Sequence, residues 1–290
     1  MYDKVLKLSE YNLVSFINLV NEVFQDYVVP IKWDILDFEL DARENSLSFE
    51  DSFVFLKSNK PVGFIVLGIR NDIARIDAMG VVKEVRGTGL ASYILEYAFE
   101  QLKWKKVNKV ILEVAEEDQR AVRFYLKNGF RHVRYLKSLI LSDKNSKVDI
   151  KSEPKYEFKK SDNKKIHELA LEAKFLFKRT PNWQRDPLTL FLAEDRYKNE
   201  LIIEKHKTIG YLVWGITSSD FAFVVDFSSV VHNREPDDLL LDIVKHIHAE
   251  SGAGNIQIMN VPENDPIYSA AEKIGFSVFI TQQEMERKIH

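Results

Sequence analysis

The octapeptide Val62-Gly63-Phe64-Ile65-Val66-Leu67-Gly68-Ile69 returns 147 residues later as Ile209-Gly210-Tyr211-Leu212-Val213-Trp214-Gly215-Ile216. Every position keeps its chemical class, and both glycines recur. Lys127-Asn128-Gly129-Phe130 returns as Lys273-Ile274-Gly275-Phe276, shifted by 146. Two matches at nearly one spacing point to a duplicated folding unit rather than one large sheet. Between the copies, Ser142-Asp143-Lys144-Asn145-Ser146-Lys147 is polar and unpatterned, and Ser152-Glu153-Pro154 follows. This pattern predicts a first domain over 1–142, a linker over 143–154 and a second domain over 155–290. With 290 residues, 45% of them hydrophobic, each copy has enough apolar material for its own core.

Periodicity gives both copies a mixed α/β order. In the first, helices are expected at 11–24 and 34–44 and strands at 52–57, 62–70 and 73–82. A helix at 90–102, a strand at 109–114, a helix at 120–128 and a strand from 130 onward follow. In the second, helices are expected at 163–178, 237–250 and 265–274, with strands at 200–206, 208–216, 221–231 and 255–261.

Arg86-Gly87-Thr88-Gly89-Leu90-Ala91 stands between the 73–82 strand and a helix whose apolar residues are Leu90, Ile94, Leu95, Ala98, Phe99 and Leu102. Two glycines at that junction let consecutive backbone N–H groups point the same way at a helix start. First-turn amides lack internal partners and the helix dipole favours negative charge, so such a loop suits phosphate. Composition narrows the chemistry further. The chain has no cysteine, which excludes disulfides, thiolate metal sites and a cysteine nucleophile. Its net charge of −3 gives no pull towards nucleic acid or anionic lipid. The N-terminus opens without a signal-peptide core and no apolar run reaches membrane-spanning length, so a cytoplasmic protein is expected. His246 and His248 diverge on their helix, and no metal site is expected.

A second block lies downstream of the glycine loop: Leu112-Glu113-Val114, then Asp118-Gln119-Arg120-Ala121-Val122-Arg123-Phe124-Tyr125-Leu126-Lys127-Asn128-Gly129-Phe130. With the loop, it resembles the GCN5-related N-acetyltransferase (GNAT) superfamily, whose later motif reads L-x-V … N-x-x-A-x-x-x-Y-x-x-x-G-F. The resemblance covers 1–142 by motif and 155–290 by fold pattern, so the whole is similar to a tandem GNAT protein. It implies acetyl-CoA as acyl donor, its pyrophosphate over the backbone of Arg86, Gly87, Thr88, Gly89, Leu90 and Ala91. It also implies that the pantetheine arm is added like a strand beside Val81 and Val82. Gly80 either eases a distortion there or is a close-packed strand glycine.

Tyr125 matches the family tyrosine that protonates the departing thiolate; its other reading is a helix tyrosine with its hydroxyl in water. Asp118 replaces the usual Asn. It keeps the capacity to cap a helix and loses the amide donor, which Gln119 could supply. Strict alternation would put Ile73, Arg75, Asp77, Met79 and Val81 on one strand face. Asp77 is then either a base for the acceptor amine or the ion partner of Arg75 on a solvated face. Glu113, alternating away from Leu112 and Val114, reads as a surface carboxylate.

The second copy has His232-Asn233-Arg234-Glu235-Pro236-Asp237-Asp238 where the glycine loop would be. Glycine is missing, and three carboxylates would repel a pyrophosphate. Pro236 and the two aspartates instead make a good helix start. Ala271 stands in the place of Tyr125 and Asn264 in that of Asp118. A degenerate domain that packs on the first is expected, an arrangement compatible with a monomer. From Asp26 to Asp51 eight carboxylates face only Lys32 and Arg43, so the acceptor is expected to be a small-molecule or peptide amine, cationic if this segment steers it. Two functions fit the sequence: direct acetyl transfer to a primary amine in a ternary complex, and a non-catalytic acyl-CoA-binding or partner-binding protein that kept the fold.

Overall fold

The computed structural model describes residues 2–27, 32–142 and 148–289. Contacts divide the chain into two units, one running through Arg134 and taking in the residues from Gln283 on, the other covering Tyr135–Gln282. In chain order the elements are β1 (Lys4–Lys7), α1 (Leu13–Val23), α2 (Ile35–Glu44), β2 (Phe53–Lys57), β3 (Lys60–Arg70) and β4 (Ile73–Val81). Then come α3 (Leu90–Trp104), β5 (Lys109–Ala115), α4 (Gln119–Lys127), β6 (Arg131–Ser142), β7 (Glu157–Lys160), α5 (Asn163–Leu176) and α6 (Pro187–Leu192). The rest are β8 (Lys198–Glu204), β9 (Lys207–Ser218), β10 (Phe221–Ser229), α7 (Pro236–Ser251), β11 (Asn255–Pro262), α8 (Pro266–Ile274) and β12 (Ser277–Lys288).

The division falls inside β6 and β12 and not at 143–154. From Leu136 to Ser142 β6 is paired with β11, which carries those residues into the second unit. Residues 143–147 of the expected linker lie outside the described residues. Periodicity also passed over β1, β7, α6 and β12. The first three are short, and β12 reads Ser-Val-Phe-Ile-Thr-Gln-Gln-Glu-Met-Glu-Arg-Lys, with little apolar alternation.

In the first unit the strands run β1-β2-β3-β4-β5 with the end of β12 beside β5. Helices cover both faces. Leu90, Ile94, Leu95, Ala98, Phe99 and Leu102 of α3 are all buried, against Phe55, Ile65, Leu67, Ala74 and Ile76 of the sheet. On the other face Phe16, Ile17, Leu19 and Val20 of α1 and Phe38 of α2 pack on Val54, Phe64, Val66 and Ala78. Each Leu, Ile, Val or Phe among them contributes about 1.5–3 kcal/mol when fully buried. The starts of α1 and α2 are fixed by Asn12 and Asp34, whose side chains accept from the Ser15 and Asp37 N–H groups.

Two irregularities in β4 shape the site. Val66 pairs with Ala78 and Leu67 with Ile76, leaving Asp77 as the extra residue of a β-bulge. The alternation therefore changes phase at Asp77. Ala74 and Ile76 before it, and Met79 and Val81 after it, all pack in the α3 layer. The sequence expectation that Arg75 and Asp77 share a face with Met79 and Val81 is thus corrected: the bulge inverts the strand between them. Second, β4 and β5 pair in parallel only over Ile73–Ile76 and Lys109–Leu112. Among the described residues the pairing stops there, and the two strands fork.

The second unit repeats the plan, with strand order β6-β11-β10-β9-β8-β7. Both glycines of the repeated octapeptide lie in β9 at tight contacts. A Cβ on Gly210 would come 2.5 Å from the Ser228 carbonyl, and one on Gly215 would come 2.5 Å from the Phe223 ring. Among the described residues no helix is long and apolar enough to cross a membrane.

Candidate functional site

The turn after β4 builds an anion cradle. Thr88 Oγ1 donates to the Val85 carbonyl at 2.7 Å and closes the turn. Gly87 and Gly89 take φ of +80° and +87°, where a residue with a Cβ costs about 1–2 kcal/mol. Gly89 is the N-cap of α3. The helix's first internal bond runs from the Tyr93 N–H to the Gly89 carbonyl at 3.1 Å, so the N–H groups of Leu90, Ala91 and Ser92 have no turn above them to donate to. A Cβ built on Gly87 would meet nothing within 4 Å among the described residues, so the approach to these amides is open. That geometry fits a phosphate group.

Beside the cradle, the fork between β4 and β5 opens into a cavity of about 580 Å³. Met79, Gly80 and Val81 form its β4 wall, Arg86 and Ala91 its loop end, and Asp118, Gln119 and Tyr125 its α4 wall, with Tyr27 entering from the turn after α1. Of the residues singled out by sequence, Val81, Arg86, Ala91, Asp118 and Tyr125 therefore meet around one space. Val82 lies outside the lining, and its N–H donates to the Val62 carbonyl at 3.1 Å. The Leu90 side chain is buried in the core.

Gly80 is needed for close packing, because a Cβ there would come 2.4 Å from Val23 Cγ1. The Asp118 side chain accepts from the Ala121 N–H at 2.9 Å and caps α4. The Gln119 side-chain amide is spent on the Glu116 carbonyl at 2.8 Å. Burial pushes the Tyr125 phenol well above its usual range, and the neighbouring Tyr27 phenol and Asp118 carboxylate push it further. Its ring is held edge-on by Phe124 and Phe130 at 5.2 and 5.5 Å.

Asp77 does not line this cavity. Its carboxylate is bound by Arg75 Nη1, and Arg75 Nε donates to Glu113 Oε2 at 2.7 Å. Burial opposes the charge on Arg75, but Glu113 and Asp77 together raise its pKa all the same. The face is not solvated: the three side chains are 6%, 9% and 3% exposed. Glu113 is thus no surface carboxylate. It alternates away from Leu112 and Val114 as expected, but that face is covered. Burial raises its pKa, and its Oε1 has no hydrogen-bond partner among the described residues. Of the acidic residues at 26–51, Asp26 lines the cavity. Asp34 caps α2, Asp41 accepts from Trp33 Nε1 at 2.9 Å, and Glu50 pairs with Lys7. Among the described residues no cluster of metal-ligating side chains occurs.

Residues 14–130 match the model of the acetyltransferase (GNAT) family. The matched residues all lie in the first unit. Solved structures align with nearly the whole chain. A GCN5-related N-acetyltransferase from Anabaena variabilis ATCC 29413 does so at 16% identity and a TM-score of 0.68, covering 99% of this chain and 73% of that one. A tandem GNAT protein from the clavulanic acid biosynthesis pathway gives 14% and 0.68, covering 99% and 98%. A GCN5-related N-acetyltransferase from Sphaerobacter thermophilus gives 12% and 0.62, covering 95% and 92%. At these identities the likeness shows the fold, a tandem GNAT architecture. No curated protein matches the sequence.

The second GNAT-like unit also forks. β10 and β11 pair over Phe221–Val224 and Asn255–Ile258, with a bulge at Val225. Arginine side chains fill the space beyond. Arg185 Nη2 donates to Asp226 Oδ1 at 2.8 Å and its Nη1 to the Met259 carbonyl at 3.2 Å, joining the two separated strands. Arg179 donates to Asp226, Asp265 and the Phe227 carbonyl, and Tyr211 Oη donates to Asp226 at 2.6 Å. All five side chains are buried. Burial works against the Asp226 charge, yet the two arginines hold its pKa below the usual carboxylate range. The helix α7 begins at Pro236 with Asp237 and Asp238 in its first turn, and Ala271 is fully buried.

Proposed function

We propose that the first unit is an N-acetyltransferase that moves an acetyl group from acetyl-CoA to a primary amine within a ternary complex. The observation that carries the reading is the joining of the amide cradle at Gly87–Ala91 to a forked-strand cavity with Tyr125 in its wall. The residues fit this donor. Leu90, Ala91 and Ser92 present amides for a diphosphate, Arg86 adds a guanidinium, and Gly87 keeps the approach open. The β4 edge around Val81 offers backbone groups to a pantetheine arm in the manner of strand addition.

Acetyl-CoA supplies an activated thioester. Everything else falls to the protein. The cavity aligns donor and acceptor, which replaces a bimolecular encounter by a positioned one. Tyr125 Oη holds the proton that the departing sulfur needs; with its pKa raised, the phenol stays protonated through neutral pH. Asp77 and Glu113 are both bound by Arg75 and neither lines the cavity, so the ammonium gives its proton to solvent rather than to either carboxylate. Asp26, Glu117 and Asp118 at the cavity favour an acceptor that arrives as a cation.

The test pairs calorimetry of coenzyme A with thiol release from acetyl-CoA across a panel of amines. Binding with amine-dependent release is the expected result. Binding without release from any amine would favour a non-catalytic acyl-CoA-binding protein, and no binding would remove the proposal.

A further inference from the structure

The cavity has an occupant that no sequence pattern pointed to. Tyr27 follows α1 on a tight turn, its N–H donating to the Phe24 carbonyl at 3.0 Å and its ring edge-on to Phe24 at 5.3 Å. The turn is seated from two sides. Val23 presses on the bare Gly80 of β4, and Arg86 Nη2 donates to the Val23 carbonyl at 3.3 Å. Val23 and Phe24 belong to the α1 layer, whereas Tyr125 packs in the α3 layer on the opposite face of the sheet. Tyr27 and Tyr125 nevertheless line the one cavity at the fork. Burial raises the Tyr27 pKa, and the Ala115 backbone works against the rise.

We propose that Tyr27 determines the length of the acyl chain the site accepts, favouring short acyl groups over long ones. The inference rests on the acyltransferase reading above. If the sulfur lies beside Tyr125, an acyl chain extending across the cavity runs towards the Tyr27 ring. The ring is fixed by Phe24 and by the Val23–Gly80 contact, so a longer chain must displace a packed turn, and overpacking of this kind is costly. Ring bulk, not the hydroxyl, sets the limit.

The experiment is a calorimetric series of coenzyme A and its acetyl, propionyl, butyryl and hexanoyl thioesters, which needs no acceptor. Full-length wild type, Tyr27→Ala and Tyr27→Phe are compared, with circular dichroism as the check on folding. In the wild type, hexanoyl-CoA should bind about tenfold more weakly than acetyl-CoA, a typical steric discrimination. Tyr27→Ala should bring the two within about threefold, while Tyr27→Phe should keep the wild-type gap. Equal binding of acetyl and hexanoyl thioesters by the wild type would overturn the inference, as would an unchanged gap in Tyr27→Ala or its loss in Tyr27→Phe. Each of those results leaves the acyltransferase reading intact. Failure to bind coenzyme A itself overturns both.

Discussion

Two forks, built on one repeated strand, have been put to opposite uses. In the first unit Phe64 and Ala78 pack in the α1 layer, Ala78 next to the bulge, and beyond it a cavity opens. In the second, Tyr211 stands at the place of Phe64, and Asp226 takes the register opposite Val213 that Ala78 takes opposite Val66. That exchange of an apolar pair for a phenol and a carboxylate changes what the fork can hold. Arg179 and Arg185 enter and satisfy the free edges of both strands. A forked sheet has to do something with backbone groups that no strand pairs. The first unit leaves a cavity beside them, and the second fills the space with its own side chains.

The strongest way to break this comparison is to empty the second fork. Asp226→Ala removes the anion between two buried guanidinium groups, and breaking a buried ion pair from one side costs about 3–5 kcal/mol. Hydrogen exchange should show protection lost across β10 and β11, with α3 and β5 unaffected. Uniform loss over both units would contradict the separation of roles. Replacing Ala78 in the first unit by Ser should be mild by contrast, because no guanidinium depends on that position.

Tyr125→Phe sharpens the functional side. Losing a general acid lowers turnover by about 10²-fold or more, and because the ring remains against Phe124 and Phe130, coenzyme A affinity should stay within about twofold. Ala271 needs no counterpart experiment in the second unit, where the position is closed. The acid's raised pKa adds a pH prediction. A phenol that must be protonated works below its own pKa, and this one lies above the usual value of about 10. Turnover should therefore not fall through pH 9 to 10 on account of Tyr125; a descending limb centred there would contradict its assignment.

Much of the first unit was legible because its signals are local. The α3 stripe, the glycine turn and the cap at Asp118 are each decided within a few residues, and all are found where periodicity and cap chemistry put them. What escaped depends on distant register. The bulge at Asp77 is set by pairing with Val66 and Leu67, so strict alternation misplaced Arg75 and Asp77 relative to Met79. Glu113 was misread because alternation gives a side and not what covers it. The arginine plug gathers residues from 179 to 265, and Tyr27 and Tyr125 line one cavity. No spacing rule joins residues so far apart.

A charge placed in the anion cradle gives a smaller effect and a clean separation of binding from folding. Gly87→Asp introduces the acidic character that Asp237 and Asp238 give the start of α7. Aspartate tolerates a left-handed backbone better than most residues, and the built Cβ meets open space. The folding penalty should stay near 1–2 kcal/mol, while coenzyme A affinity falls by about tenfold from repulsion of the diphosphate. The loss should shrink as salt is raised, because the site is exposed and screened.

Acidification makes the subtlest contrast. Asp226 has a depressed pKa in the folded protein, so it contributes stability that is present above its unfolded value near 4 and is lost as pH falls through the folded one. Glu113 has a raised pKa, so the folded first unit binds that proton more tightly than the unfolded chain does. Its effect has the opposite sign: stability is gained as pH falls through the folded value towards the unfolded one near 4.3. Local unfolding free energies from hydrogen exchange at pH 6, 4.5 and 3 should diverge between the units, and Asp226→Asn and Glu113→Gln should each flatten one of the two trends. If both units weakened in parallel and neither substitution changed the slope, the carboxylate at each fork would not be what sets the two apart.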